Sequence, residues 1–290
     1  MAKPATLTIR SFPSLIVEEF CFSGPVAPSR SGCFSLYLLL AGEGVMRLDR
    51  VAHELAGPVL VALNPYQRVA FRFSDPARGR VLQFHPNFFC IETQHHAVGC
   101  NGILFNDIYE APLVNLSREE AADFGRILTG MEREIHDGAM AHLEVLSSLL
   151  RIFLIRATRC KMEAREETLT APTTGLRLLR RLREEIETHY RELHRPSDYA
   201  RLLGVSRRAL AEAVRDHLHM TVSQLIRDRV MQHAKWQLLH TLRPVKEIAF
   251  ELGFEDEFYF SRLFKRAVGL APLVFRTRET EIRGGANLSM

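Results

Sequence analysis

One short pattern is written twice in the last third of this chain of 290 residues. The first copy runs Tyr199-Ala200-Arg201-Leu202-Leu203-Gly204-Val205-Ser206-Arg207-Arg208-Ala209-Leu210. The second runs Ile248-Ala249-Phe250-Glu251-Leu252-Gly253-Phe254-Glu255-Asp256-Glu257-Phe258-Tyr259-Phe260. Ala200 matches Ala249, Leu203 matches Leu252, Gly204 matches Gly253 and Val205 matches Phe254. The second turn is one residue longer, after which Ser206 matches Asp256 and Leu210 matches Phe260. Each landmark has a physical task. The small Ala lets one helix cross closely over another. Gly adopts a left-handed backbone at the turn without a Cβ penalty. Val205 or Phe254 plugs the angle between the helices, and Ser206 or Asp256 caps the helix that follows. The repeat therefore predicts two helix–turn–helix units.

Helical periodicity sorts the faces of the two second helices. Leu210, Ala213 and Val214 face inward in the first, as do Phe260, Leu263 and Phe264 in the second. Arg207, Arg208, Ala211, Glu212 and Arg215 are left on the outer face of the first. Glu257, Phe258, Ser261, Arg262 and Lys265 are left on that of the second, followed by Arg266. Between the copies, Thr221 caps a helix to about Leu239 lined by Val222, Leu225, Ile226, Val230 and Leu238. Such a stiff connector would present both outer faces to successive major grooves of a duplex, roughly 34 Å apart. Charge agrees with a polyanionic partner. Residues 175–290 carry 21 Lys+Arg against 15 Asp+Glu, leaving 17 against 19 in the rest. One copy alone would suit an ordinary helical hairpin. Two matched copies in the basic half point to reading of double-stranded DNA.

Residues Leu176 to Arg278 resemble the DNA-binding domain of the AraC/XylS family of bacterial transcription regulators. The resemblance is strongest over Val245-Lys246-Glu247-Ile248-Ala249-Phe250-Glu251-Leu252-Gly253-Phe254. It continues through Tyr259-Phe260-Ser261-Arg262-Leu263-Phe264-Lys265-Arg266 and Gly269-Leu270-Ala271-Pro272 to Phe275-Arg276. It implies base contacts from the outer faces of both recognition helices, with Arg262 standing where family members often carry a contacting Arg. Two positions depart from the pattern: Glu212 stands where an Arg is common, and Phe258 where a polar residue is common. Glu212 can accept from a cytosine amino group and Phe258 can touch a thymine methyl. Lys265 and Arg266, further along the helix, suit phosphates. Arg262 has a duller alternative, a pair with a nearby carboxylate such as Glu255.

The N-terminal half reads as short strands. Phe34 to Leu40 is apolar and ends at Ala41-Gly42-Glu43-Gly44. Val45 to Leu48 and Val51 to Leu55 flank a tight hairpin at Asp49-Arg50. Gly57-Pro58 and Asn64-Pro65 bracket Val59 to Leu63. Val69 to Phe73 and Arg80 to Phe84 follow. This spacing predicts a small antiparallel β-barrel able to hold one small ligand. The region is similar to the cupin-like effector domain of many family members. A capping box at Ser117-Arg118-Glu119-Glu120 then opens a helix carrying Phe124, Ile127, Leu128, Met131 and Ile135. Asp137-Gly138 ends it, and a second helix carries Leu143, Leu146, Leu149, Leu150, Phe153 and Leu154. That pair either packs on the barrel or forms a dimer seam. Polar Lys161 to Thr174, closed by Pro172, reads as a linker. The expected fold is α+β multidomain. A cupin-like effector-binding barrel spans 1–115 and a helical pair for dimerisation 116–160. The linker spans 161–174 and an all-α domain with two helix–turn–helix units 175–280.

Other features bound the function. Met1-Ala2-Lys3-Pro4 is followed by no apolar run, which argues against a secretory leader, and no stretch approaches a membrane span. Five scattered cysteines (Cys21, Cys33, Cys90, Cys100, Cys160) suit reduced thiols in a cytoplasm. Cys90, His95, His96 and Cys100 lie close enough for a transition metal. They lack a Cys-x-x-Cys or paired knuckle, so the segment reads as a loop with buried thiols, and no metal is assigned. A Cys90–Cys100 redox switch lacks an activating partner for either thiol. Metal-dependent cupin enzymes carry a His-x-His with a following carboxylate, whereas His53 stands alone here and Pro86 follows His85. No catalytic residue and no cofactor is expected, and effector-binding residues stay unassigned. The reading is a cytoplasmic regulator that binds promoter DNA, responds to a small effector and works as a homodimer, with RNA polymerase as partner if it activates. The rivals are a DNA-binding regulator whose N-terminal domain only dimerises, and a cupin-type metalloenzyme fused to a DNA-binding domain.

Overall fold

The computed structural model describes residues 4–282 except 10–11, 50, 87, 90, 92–101 and 170–173. Two compact units emerge. The first comprises Met1–Asp107 and Ala111–Thr170, the second Ile108–Glu110 and Ala171–Met290. The segment holding His95, His96 and Cys100 lies outside the described residues, as does Cys90.

The first unit is built on a nine-stranded antiparallel sheet: β1 Ala5–Ile9, β2 Phe12–Pro25, β3 Ser29–Arg30, β4 Phe34–Ala41, β5 Glu43–Leu48, β6 Val51–Ala56, β7 Val59–Leu63, β8 Arg68–Phe84 and β9 Leu113–Asn115. The predicted strands around Asp49 and Val59 fall where expected. Two differences matter. The strand signals at Val69 and Arg80 belong to one long strand, β8, which pairs with β5 along its first half and β4 along its second. Strands β1 and β2 at the N-terminus were not anticipated. The main path runs β1-β2-β8-β4-β7-β9. Among the described residues it begins and ends on strands paired on one side only, so the antiparallel sheet forms but does not close into the expected barrel. Closure needs the two edges to meet in register, and β9, three residues long, offers little edge to meet.

Helices α1 (Arg118–Asp137) and α2 (His142–Leu169) cover one face. The capping box forms: Glu120 N–H donates to Ser117 Oγ, and the Glu120 carboxylate accepts from Ser117 N–H. Gly138 ends α1 in the left-handed region at φ 55°. Phe124, Leu128 and Met131 of α1 and Leu146, Leu150, Phe153 and Leu154 of α2 are buried with Leu15, Leu36, Leu82 and Phe84 of the sheet. Most of the leucine surface of α2 is thus consumed inside its own unit. Leu143, Val145 and Ile152 remain exposed. Buried Arg80 on β8 donates to Gly125 O at 3.1 Å and Thr129 Oγ1 at 2.9 Å, and pairs with Glu132 at 2.5 Å. A buried guanidinium requires such partners, and here they pin α1 to the sheet. The opposite face holds a second core with Phe20, Met46, Leu48, Val61, Phe71 and Phe73.

The expected linker at 161–174 is helical through Leu169, as part of α2. Lys161 is buried and its Nζ donates to Leu113 O at 3.0 Å and also to Ala111 O. The stretch is polar, but Lys, Met, Glu, Ala and Arg are strong helix formers. Polarity alone made it look like a linker.

The second unit contains α3 (Thr174–His189), α4 (Pro196–Leu203), α5 (Arg207–Leu218), α6 (Val222–His240), α7 (Val245–Glu251), α8 (Glu257–Val268) and α9 (Pro272–Ile282). Helices α4–α5 and α7–α8 are the two copies of the repeat. Helix α6 joins them, burying Val222, Leu225, Ile226, Val230, Ala234 and Leu238. Among the described residues no helix is long and apolar enough to cross a membrane.

Candidate nucleic-acid interface

The turn chemistry read from the repeat is present in both copies. Gly204 and Gly253 have φ of 68° and 77°. Ser206 Oγ accepts from Ala209 N–H at 3.1 Å, and Asp256 Oδ1 accepts from Phe258 N–H at 2.8 Å. Thr221 caps α6 by accepting from Gln224 N–H at 3.2 Å. Leu210, Ala213 and Val214 are buried in α5, and Phe260 and Phe264 in α8. Leu263, expected to face inward, is only partly buried, and the buried stripe of α8 runs Phe260, Phe264 and Val268.

The inward packing leaves the predicted outer faces free of the core. Arg207, Arg208, Glu212 and Arg215 are exposed on α5, with Ala211 half-buried between them. Arg208 Nε donates to Glu212 Oε1 at 2.8 Å across one helical turn. Glu212 is therefore engaged by its own helix, and this bond leaves the two terminal nitrogens of Arg208 facing solvent. On α8, Phe258, Arg262, Lys265 and Arg266 are exposed, and Glu257 and Ser261 are half-buried. Phe258 is 74% exposed, a high value for a side chain this apolar. Arg262 lies 3.8 Å from Asp256, the cap of its own helix, rather than from Glu255, and its guanidinium stands 6.0 Å from the Tyr259 ring. At 69% exposure it stays available for a partner.

Behind these faces lies a polar cluster that periodicity did not reveal. The Tyr190 hydroxyl is 2.5 Å from His233 Nδ1, and Gln237 Nε2 is 3.2 Å from His233 Nε2. Gln237 Nε2 also donates to Glu251 Oε1 at 2.9 Å. Glu251 is further met by Arg243 and, at 3.5 Å, by Arg191. Arg229 lies over the Tyr190 ring at 3.9 Å while its Nε donates to both Glu187 oxygens, at 2.9 and 2.8 Å. Arg276 of α9 donates to Leu238 O at 3.1 Å and Arg243 O at 2.6 Å, holding the loop between α6 and α7. Burial, then the nearby charges of Arg191 and Arg229, push the His233 imidazole down to about 4. Partial burial works against ionisation of Glu251, but the hydrogen bond and charge of Arg243, with Arg191, outweigh it and hold the carboxyl below its usual range. One signal was available in the sequence. His233 and Gln237 sit four residues apart among the apolar positions of α6, where polar side chains are expected only with partners.

A family model described as a helix-turn-helix domain matches residues 199–278. The chain is 40% identical over 75 residues to the HTH-type transcriptional activator RhaR of Klebsiella pneumoniae, a match covering 26% of this chain and 27% of that protein. It is 42% identical over 73 residues to RhaR of an Enterobacter species, covering 25% and 26%. The match thus spans about a quarter of the length of these curated relatives. Among solved structures, the C-terminal domain of AraT, a response regulator from Geobacillus stearothermophilus, is 29% identical over 38% of this chain and 88% of its own, with a TM-score of 0.35. ToxT from Vibrio cholerae is 15% identical over 91% and 98%, with a TM-score of 0.39. With both turns, both caps and the apolar landmarks in place over the matched residues, residues 199–278 of this chain form a helix-turn-helix domain similar to that of these transcriptional activators.

Proposed function

We propose that the chain is a sequence-specific DNA-binding transcription regulator rather than an enzyme. The observation that carries this reading is the pair of capped helices, α5 and α8, whose outward faces are left free by the packing of their own unit. In the proposal Arg207, Arg208, Ala211, Glu212 and Arg215 of α5 face one major groove. Glu257, Phe258, Ser261 and Arg262 of α8 face another. Lys265 and Arg266 meet phosphates, which position the protein without reading sequence. The Arg208–Glu212 pair fits a guanine reader whose carboxylate partner orients the fork of terminal nitrogens. Phe258 fits apolar contact with a thymine methyl. That the curated relatives are named transcriptional activators supports the regulatory reading.

The first unit is assigned the effector and the self-association. Leu143, Val145 and Ile152 support a seam on α2, Val145 and Ile152 being two turns apart on one stripe. The N-terminal unit is the proposed seat of a small effector, which acts only through unequal affinity for two arrangements of the protein. The working place is the cytoplasm, and RNA polymerase is a partner if the regulator activates. Pull-down of genomic fragments with the full chain, followed by sequencing, tests the central claim. A shared duplex motif should be enriched, and fragments recovered at random would overturn it. Thermal-shift screening with candidate metabolites tests the effector, because a binder of the folded state raises the melting temperature.

A further inference from the structure

The two turns are alike in local geometry and unlike in what surrounds them. A Cβ on Gly204 would meet nothing within 4 Å, whereas a Cβ on Gly253 would lie 2.2 Å from Arg191 O. The His194 ring stacks at a tilt on Phe254, centroids 5.0 Å apart. Arg191 and His194 follow α3, the helix that packs on α4 and α5. The backbone behind the first helix–turn–helix unit thus seats the turn of the second. The polar cluster crosses the same junction: Tyr190 beside α3, His233 and Gln237 on α6, Glu251 at the end of α7.

Hydrogen-bond logic fixes the form of the cluster. Gln237 Nε2 has only donors to offer, one directed to Glu251 Oε1 and the other to His233 Nε2. His233 Nε2 is therefore an acceptor and the proton of the neutral ring sits on Nδ1, donating to the Tyr190 oxygen. This tautomer is assigned from the network. The Tyr190 oxygen also accepts from Arg191 Nε at 3.2 Å. A second proton on His233 would face the Gln237 amide donor and break the chain.

Resting on the DNA-reading assignment above, we propose that Tyr190, His233, Gln237 and Glu251 are positioning residues that lock the second recognition helix relative to the first and so set the half-site spacing the chain accepts. Helix α7 has only seven residues and follows a short non-helical connection from α6, so its own length cannot fix its direction. Inserting one base pair between two half-sites turns the second by about 34°, at about 10.5 base pairs per turn. A locked reader rejects that rotation, and a hinged one follows it.

The test uses the full chain, a duplex that the wild type selects from a random-sequence pool, and the same duplex with one base pair inserted between its half-sites. Spin labels carried on non-canonical residues at positions 211 and 261 report the separation of the two recognition helices without DNA. The wild type should prefer the selected duplex by about tenfold or more, the scale of one mismatched base pair, and give a narrow distance distribution. Glu251→Ala and Tyr190→Phe should bring the preference toward about one and broaden the distribution. Glu251→Gln, which keeps an acceptor oxygen, should restore both. If Glu251→Ala does not fold, Tyr190→Phe, which loses only a hydroxyl, decides. Folded variants with wild-type preference and distances would overturn the lock. If the wild type selects no duplex, the DNA-reading assignment falls. The label distances then decide the lock by themselves, an unchanged distribution overturning it.

Discussion

The two helix–turn–helix units share a turn but not a setting. Both glycines are left-handed and both following helices are capped. Gly204 faces open space, while Gly253 lies against the Arg191 carbonyl. Val205 is half-buried, while Phe254 is buried and stacked with His194. The first recognition face is charged and ties Arg208 to Glu212; the second shows an exposed Phe258 and a loosely paired Arg262. A repeat in sequence therefore does not imply equal tolerance. The first copy answers mainly to local backbone rules, the second to the elements packed on it.

The sharpest way to break this comparison is at the glycines. Gly253→Val should combine left-handed strain of about 1–3 kcal/mol with overpacking of about 1–3 kcal/mol against a carbonyl that cannot move aside. Specific DNA binding should be lost with it. Gly204→Val should show the strain alone. Urea melting of both variants compares them, and equal losses would mean that the second turn is no more embedded than the first.

Acid should act next most strongly. The imidazole of His233 faces Tyr190 and Arg191 beside α3, Arg229 and Gln237 on α6, Glu251 on α7, and Arg243 in the loop before α7. Its folded value, about 4, lies below the ordinary value near 6.5. Between these values the unfolded chain binds more protons, so stability falls as pH falls through that window, by up to about 1.4 kcal/mol per pH unit. His233→Leu should flatten this slope in melting curves recorded from pH 7 to pH 4. A slope unchanged by the substitution would remove His233 as its source.

Arg262→Ala should cost about 1–3 kcal/mol on a selected duplex and relax preference at one base pair. Lys265→Ala should weaken binding to all duplexes alike and shallow the salt dependence by about one counterion. Titrations of operator and random duplex at several salt concentrations separate the two roles. Equal loss on both duplexes for Arg262→Ala would reassign it to the phosphates or to Asp256.

The smallest expected difference is at the caps. Ser206→Ala and Asp256→Ala should each cost about 1 kcal/mol in thermal melting, because each removes one acceptor from a helix N-terminus. A much larger loss at Asp256 would show that its nearness to Arg262 matters as well.

What the sequence determined by itself is local. Gly204 and Gly253 at left-handed turns, Ser117, Ser206, Thr221 and Asp256 as caps, and the apolar period of α5 and α8 follow from interactions within a few residues. The same holds for the hairpin at Asp49 and strand β7. The outward faces of α5 and α8 were legible for the same reason, being what an apolar stripe leaves over. Tertiary structure decided the rest. Whether the sheet closes depends on where distant edges lie, so the expected barrel became an open path. Lys161 looked like linker because its partners, the carbonyls of Ala111 and Leu113, are far away in the chain. The spacing of His233 and Gln237 marked two polar positions on the buried side of α6, but nothing in the sequence joined them to Tyr190 and Glu251, since a buried polar side chain acquires meaning only from the donor or acceptor another element brings to it.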